Sequence, residues 1–288
     1  MYILFDIGGT KTRVAASNNL TTIGKPIIFN TPKNFRRGVQ MIKNAAIALS
    51  QGKKIKAVAG GTPGPQDFSH TKIINAPNLP GWNGKPLKGA LQALLKTKVF
   101  LENDTALVGL GEAHFGAGKA SGIMAYLTVS TGVGGVRIVD RHIDRNSMGF
   151  EVGHQIISLD GGKFRDLESF ISGKATEKKY HKKPYKILDK KFWDEAAHIL
   201  AIGLNNTIVH WSPDTVIIGG SMMKKIGIPI KRVHYHLNKI LKIFPRKPKI
   251  LKAKLGDLGG LHGAMIYLKQ SLTHEGVRGG LICNLENK

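Results

Sequence analysis

Cysteine is almost absent: the 288 residues contain one, Cys283. A lone thiol excludes an internal disulfide framework and any cysteine-rich zinc cage. Long apolar runs are also missing. Nothing approaches the roughly 20 residues of a membrane-crossing helix, so no membrane partner is expected. The opening Met1-Tyr2-Ile3-Leu4-Phe5-Asp6 lacks a basic leader, and its apolar stretch stops at Asp6. No signal peptide is therefore expected, and the cytoplasm is the expected compartment. Acidic residues are scarce, with 19 Asp+Glu against 43 Lys+Arg, for a net charge of +24. That excess is lysine far more than arginine (33 to 10). Specific phosphate and base recognition favours the arginine fork. The charge thus reads as solvated surface, without a specific nucleic-acid partner.

What is present is glycine, 35 of it without collagen-like periodicity, which predicts many tight turns. With 42% hydrophobic and 22% charged residues the chain is globular, and long enough for two domains. Apolar strands and glycine turns alternate from the start. Tyr2–Phe5 reads as a central strand, Gly8-Gly9-Thr10 as a turn, Arg13–Ala16 as the return strand and Ile27–Phe29 as a third. Phe35, Val39, Ile42, Ala46 and Leu49 recur at helical spacing, predicting a helix over Asn34–Ser50. Ile55–Ala59 is a strand ending in Gly60-Gly61. A long Pro/Gly/Asn-rich loop (62–86) follows, anchored by Leu79 and Trp82. Lys88–Lys96 reads as a helix and Val99–Leu101 as a strand, with a further helix through Ala106, Leu107, Leu110 and Ala113.

The plan then repeats. Ile123–Ser130, Thr131-Gly132-Val133-Gly134-Gly135 and Val136–Asp140 restate strand, glycine turn and strand, including an arginine in the return strand (Arg13, Arg137). Two copies this far apart predict a duplicated domain rather than a solenoid. Gly161–Lys191 reads as a lysine-dense loop. Trp193 to Trp211 forms the longest helical stripe, Thr215–Ile218 and Ile250–Ala253 are strands, and Leu261–Leu272 is a closing helix with a loose tail. The expectation is two α/β domains with a cleft between them.

Asp6 and the run Gly8-Gly9-Thr10-Lys11-Thr12 follow a hydrophobic strand directly. Glycines let backbone N–H groups approach phosphate oxygens, threonines add hydroxyl donors, and a strand-end carboxylate suits magnesium. It is neither a Walker loop nor a Rossmann fingerprint, and a plain hairpin explains it equally well. Thr131, Gly132 and Gly134 belong to the second such loop, and two loops could grip a nucleoside triphosphate from both sides. Gly220, in Gly219-Gly220-Ser221, offers a flat surface for adenosine or is an ordinary strand-to-helix turn. Asp104, in Glu102-Asn103-Asp104, sits where a strand hands over to a helix. It suits an N-cap, and it equally suits a base accepting the proton of an attacking hydroxyl. Asn103 would orient that hydroxyl. Glu151, His154 and Glu168 suit the donating and accepting hydroxyls of a sugar.

In order, Asp6-Ile7-Gly8-Gly9-Thr10, Pro63-Gly64-Pro65, Ala76-Pro77-Asn78-Leu79-Pro80-Gly81-Trp82, Glu102-Asn103-Asp104, Thr131-Gly132-Val133-Gly134-Gly135 and Glu151-Val152-Gly153-His154 resemble the ROK family of sugar kinases and repressors. Leu167-Glu168-Ser169, Gly219-Gly220 and Gly256-Asp257 through Gly263-Ala264 extend the match over nearly the whole chain. The resemblance implies an α/β two-domain actin-like ATPase (ribonuclease H-like) fold. The domains would be 1–105 plus a C-terminal helix 261–288, and 106–260. It implies an ATP- and Mg2+-dependent kinase acting on a hydroxyl of glucose or an N-acetylhexosamine, with a homodimer expected. Asp104 matches the catalytic base. Asn103, Glu151, His154 and Glu168, with Gly64, match the sugar site. Gly8, Gly9, Thr10, Lys11, Thr12, Thr131, Gly132, Gly134 and Gly220 match the nucleotide elements, and Asp6 the metal element. One departure is plain. Many members follow this histidine with a Cys-x-Cys-Gly-x-x-Gly-Cys zinc site, but Gln155–Asp166 holds no cysteine, so zinc is not expected and the support of His154 is left open.

The other function class is a sugar-sensing DNA-binding regulator. Family repressors carry a helix-turn-helix before the first phosphate loop, and here that loop begins at Asp6. A sugar-binding chain that has lost catalysis is disfavoured by Asp104 and both loops. The basic surface should bind DNA and RNA only weakly, losing affinity steeply with added salt and showing little sequence preference. Titrations at two salt concentrations test this; nanomolar, sequence-selective binding at physiological salt would contradict it.

Overall fold

The computed structural model describes residues 1–283, with side chains described through Thr273 except that of Asp160. Contacts divide the chain into two compact units. The first takes Met1–Gly111, Ser147–Gly149 and the chain from Asp257; the second takes Glu112–Asn146 and Phe150–Gly256.

The first unit is built on strands β1 (Tyr2–Ile7), β2 (Lys11–Ser17), β3 (Ile27–Asn30), β4 (Ala57–Thr62) and β5 (Lys98–Asn103), in the order β3-β2-β1-β4-β5. The β1-β2-β3 meander is antiparallel, while β4 and β5 run parallel to β1. β4 is buried along its whole length and contains Gly60 and Gly61 instead of ending at them. A Cβ at Gly60 would lie 2.2 Å from the Phe5 ring, so the glycine makes room for an aromatic on the neighbouring strand. Helix α1 (Phe35–Ser50) is capped by Asn34, whose side chain accepts from the Arg37 N–H, and buries Val39, Ile42, Ala45 and Ala46. Helices α2 (Leu87–Leu95) and α3 (Asp104–Phe115) follow. In the long loop Trp82 is buried, donates its indole N–H to the Pro32 carbonyl at 2.9 Å and meets Phe35 edge-on. The loop is thereby pinned to α1.

In the second unit, β6 (Ile123–Val129), β7 (Val133–Val139) and β8 (His142–Ile143) form an antiparallel meander. Next come the hairpin β9 (Ile156–Asp160) and β10 (Lys163–Asp166), then α4 (Leu167–Ile171), α5 (Gly173–Tyr180) and α6 (Lys190–Trp211). Strand β11 (Thr215–Gly219), helix α7 (Ile230–Ile240) and strand β12 (Lys249–Lys252) complete the unit. The sheet order is β12-β11-β6-β7-β8, with β11 and β12 parallel to β6. This is the first sheet's arrangement over again: a meander on one side of the first strand, parallel strands on the other. The duplication expected from the glycine turns is therefore topological.

Gly161–Lys191 is not the loop expected. It holds β10, α4, α5 and a short 3-10 turn, Pro184–Lys186. Asp166, Ser172 and Asp189 cap the helices there, and buried Leu167 and Ile171 anchor the segment, signals obscured by its lysines. Helix α7 was not anticipated either, although Ile230, Val233 and Leu237 keep helical spacing. The closing helix α8 (Gly259–Cys283) begins earlier than expected and continues past Leu272, where its periodicity stops, with residues 284–288 outside the described ones.

The chain leaves the first unit inside α3 rather than at 105/106. α3 is one continuous helix, and its early turns pack on α8 so closely that a Cβ at Gly263 would lie 1.7 Å from the Leu107 carbonyl oxygen. The return falls after Gly256 rather than at 260/261. Glu112, fully buried, accepts from the Ala117 N–H with Oε2 and from the Lys254 and Leu255 N–H groups with Oε1, each at 2.8 Å. Replacing it by leucine would strand three donors. Buried unsatisfied donors cost about 1–3 kcal/mol each, so Glu112→Leu should lose roughly 3 kcal/mol or more in urea unfolding, and Glu112→Gln less. A loss under about 1 kcal/mol for the leucine variant would contradict this account.

Candidate active site

The first unit brings together the β1–β2 hairpin, the end of β5 and the start of α3. The Gly8 N–H donates to the Lys11 carbonyl at 3.0 Å, leaving Gly9, Thr10 and Lys11 exposed at the tip. Thr12 departs from its expected part. It is buried, and its hydroxyl shares a 2.9 Å hydrogen bond with that of Thr31, which donates onward to the Gly8 carbonyl at 2.7 Å. Thr12 braces the hairpin; backbone N–H groups and Thr10 are what the tip presents. Asn78, given no role from sequence, stands against Gly9, where an added Cβ would lie 2.9 Å from its own Cβ.

Asp6 faces Arg13 in register across the hairpin, with the guanidinium 3.4 Å from its carboxylate and 3.8 Å from that of Asp257. Burial pushes the Asp6 carboxyl up to about 6; the Arg13 charge opposes the rise and Asp257 adds to it. Asp6 and Asp257 are the carboxylates that could meet a divalent ion here; nucleotide-binding proteins hold magnesium by one or two carboxylates and leave the remaining positions to phosphates and water. No group of three or more His, Cys, Asp or Glu placed to hold a metal ion gathers among the described residues.

The helix cap is Asn103, not Asp104. Asn103 Oδ1 accepts from the Ala106 N–H at 3.1 Å, and its Nδ2 donates to the Gly64 carbonyl at 3.2 Å. Asp104 is the first residue of α3, and its Oδ1 accepts from the Thr105 N–H at 2.7 Å. The carboxylate therefore sits at the N-terminal end of the helix, beside the first backbone N–H groups. Gly64 has φ +77°, and a Cβ there would lie 2.1 Å from the Asn75 carbonyl oxygen, so only glycine carries this carbonyl to Asn103. Glu102 points to structure: its Oε1 accepts from the Asn103 N–H at 2.8 Å, and burial pushes its carboxyl up, with nearby His70 opposing.

The second unit gathers its own set. Thr131 is exposed at the β6–β7 turn, and Gly132 follows it. Glu168 Oε2 accepts from the Val133 N–H at 2.7 Å, filling the space beside Gly132 that a Cβ would need. The 3-10 turn Val152–His154 packs on β7, where a Cβ at Gly153 would lie 2.1 Å from the Val133 carbonyl oxygen. Glu151, His154 and Glu168 are thus collected around the second loop. Partial burial pushes the Glu151 carboxyl up, His154 opposes the rise, and Glu168 adds to it. Gly134 lies within β7. Gly220 has φ +96°, and a Cβ there would lie 2.2 Å from the Val129 carbonyl oxygen, so the turn after β11 must be glycine to meet β6. The Ser130 and Ser221 hydroxyls, 3.0 Å apart, link that turn to the second loop.

The sequence pattern of the ROK family matches residues 2–271. The chain belongs to the ROK family. It is 27% identical to an N-acetyl-D-glucosamine kinase of Vibrio atlanticus (strain LGP32), over 92% of this chain and 98% of the relative. It is also 27% identical to a glucokinase of Thermotoga maritima, over 93% and 96% respectively. Among solved structures, the ROK hexokinase of Thermus thermophilus superposes with a TM-score of 0.79 at 27% identity, covering 94% of this chain and 99% of that one. The paired sheets are accordingly those of the two-domain actin-like ATPase fold. In this ROK protein the segment Gln155–Asp166 after His154 holds no cysteine. His154 Nδ1 lies 3.0 Å from Asp166 Oδ2, and Asp166 Oδ1 accepts from the Ser169 N–H at 2.8 Å. One imidazole and one engaged carboxylate do not fit a tetrahedral zinc site.

The raised Asp6 value has a thermodynamic sign. A folded-state value near 6, against about 3.9 unfolded, means the folded chain binds more protons between those limits. Asp6 therefore withdraws stability as pH rises through about 6. Urea unfolding without nucleotide, compared with Asp6→Asn, should show wild type losing on the order of 1–3 kcal/mol relative to the variant between pH 4 and pH 7.5. A difference that stays flat over that range contradicts the burial argument.

Proposed function

We propose that this ROK-family chain is an ATP-dependent sugar kinase that phosphorylates the primary hydroxyl of a hexose such as glucose, or of an N-acetylhexosamine. The observation that carries the reading is Asp104 at the start of α3, on a backbone held by the Asn103 cap. The kinase names of the relatives support it.

On this reading Asp104 accepts the proton of the sugar hydroxyl as its oxygen attacks the γ-phosphorus in line. The new O–P bond forms, the bond to the β-phosphate bridging oxygen breaks, and ADP leaves with that electron pair. Asn103, Gly64, Glu151, His154 and Glu168 bind and orient the sugar. Backbone N–H groups of Gly9, Thr10, Lys11, Thr131, Gly132 and Gly134 hold phosphate oxygens, with the exposed Thr10 and Thr131 hydroxyls as added donors, while the Gly8 N–H closes the hairpin on the Lys11 carbonyl. The turn at Gly220 takes adenosine, and Thr12 acts through the hairpin it braces. Asp6 would hold magnesium, which would supply charge neutralisation on the phosphates. The enzyme is proposed to work in the cytoplasm as a homodimer.

A coupled assay with ATP against glucose, mannose, fructose, N-acetylglucosamine and N-acetylmannosamine identifies the sugar; sugar binding without ATP turnover by the wild type would point to the regulator class instead. Asp104→Asn keeps shape but removes the base, and should lower kcat about 100- to 10,000-fold. Near-normal turnover of that variant would remove Asp104 from its assigned role.

A further inference from the structure

His154 ends the short 3-10 turn Val152–His154, and its side chain remains more than half exposed. A single hydrogen bond holds the ring, from Nδ1 to Asp166 Oδ2 at 3.0 Å, and Nε2 makes none among the described residues. Asp166 is itself tightly held. It caps α4 through Oδ1, and its carbonyl accepts from the Ser169 hydroxyl at 2.7 Å. The Leu167 N–H donates to the Gln155 carbonyl at 3.0 Å, and the Leu167 side chain is fully buried.

The hairpin register is irregular beside Asp166. Lys163, Phe164 and Arg165 pair with Asp160, Leu159 and Ser158, but Asp166 pairs with Ile156, so one residue of β9 is skipped. Such a bulge re-aims the side chain beside it. Here the irregularity falls between Arg165 and Asp166, the residue that meets His154.

We propose that Asp166 is a positioning residue: its hydrogen bond to Nδ1 fixes the His154 ring and tautomer and presents Nε2 to a sugar hydroxyl, the task that falls to zinc in cysteine-bearing members. This rests on the sugar-kinase reading. A ring without a partner samples rotamers and both tautomers, and a carboxylate on Nδ1 selects the Nδ1–H form. The groups facing the ring are Asp166, Glu168 and Glu151, all acidic. The bond to Asp166 raises the His154 value, burial opposes the rise, and the charges of Glu168, Asp166 and Glu151 add to it.

The test pairs kinetics with a measurement that needs no activity. Asp166→Asn should raise the KM for sugar about 10-fold or more, leave the KM for ATP unchanged, and move the histidine limb of the sugar kcat/KM profile to lower pH. Asp166→Glu should recover part of the loss. Long-range 15N NMR of the wild type, with the His154 signal assigned through His154→Gln, should show the Nδ1–H form above the titration and a value above the ordinary 6.5. An unchanged sugar KM and pH limb in Asp166→Asn, an Nε2–H tautomer, or one tightly bound zinc per wild-type chain would each overturn the proposal. Equal rises in both KM values would reduce Asp166 to a structural residue and also overturn it. If the asparagine variant does not fold, the wild-type NMR and Asp166→Glu decide. Should no sugar be phosphorylated by the wild type, the kinase reading fails, while the tautomer still decides whether Asp166 holds His154.

Discussion

The buried carboxylate of Glu112 is the constraint on which much of this architecture depends. The chain enters the second unit within α3 and leaves it after Gly256, and Glu112 holds both stretches through the N–H groups of Ala117, Lys254 and Leu255. Three charge-assisted bonds to backbone offset the desolvation of the carboxylate in a way that side-chain partners free to rotate would not. The end of α3 is tied there, and the beginning of α3 carries Asp104. One helix thus joins the structural anchor to the proposed base.

The two sheets show how one topology supports two chemistries. Each begins with a hairpin whose return strand carries an arginine, Arg13 or Arg137. Arg13 faces Asp6 and Asp257, beside the candidate metal position. Arg137 instead pairs with Asp144 and donates from Nε to the Trp211 carbonyl at 3.1 Å, tying the meander to the end of α6. The repeated residue binds charge at a site in one copy and holds secondary structure in the other. A repeat read from letters alone assigns both the same part.

In the proposed role of Asp166, one physical device stands in for another at His154. A coordinate bond and a carboxylate–imidazole hydrogen bond both fix a ring, but the second needs no thiolates, and it couples the ring to a helix cap. The consequence is a site whose acidic surroundings, Glu151, Asp166 and Glu168, bear directly on the protonation of the histidine.

Periodicity and punctuation made much of the fold legible. Hydrophobic runs located β1, β6 and β11, helical spacing located α1 and α6, and the glycine turns announced the duplication. The candidate site residues Asp6, Asn103, Asp104, Glu151, His154 and Glu168 stood out in the sequence as polar groups beside glycine turns and element ends. What sequence could not decide was which side chain meets which. That Asn103 rather than Asp104 caps α3, that Thr12 turns inward to Thr31, that Asp166 reaches His154 and that Glu112 reaches Lys254 and Leu255 are contacts across separations of up to 143 residues. Local propensity depends on neighbours along the chain, and so it reports where an element starts and which face is apolar. Hydrogen-bond partners depend on register, on bulges such as the one beside Asp166 and on which glycine admits a close approach, and these exist only once the sheets have packed.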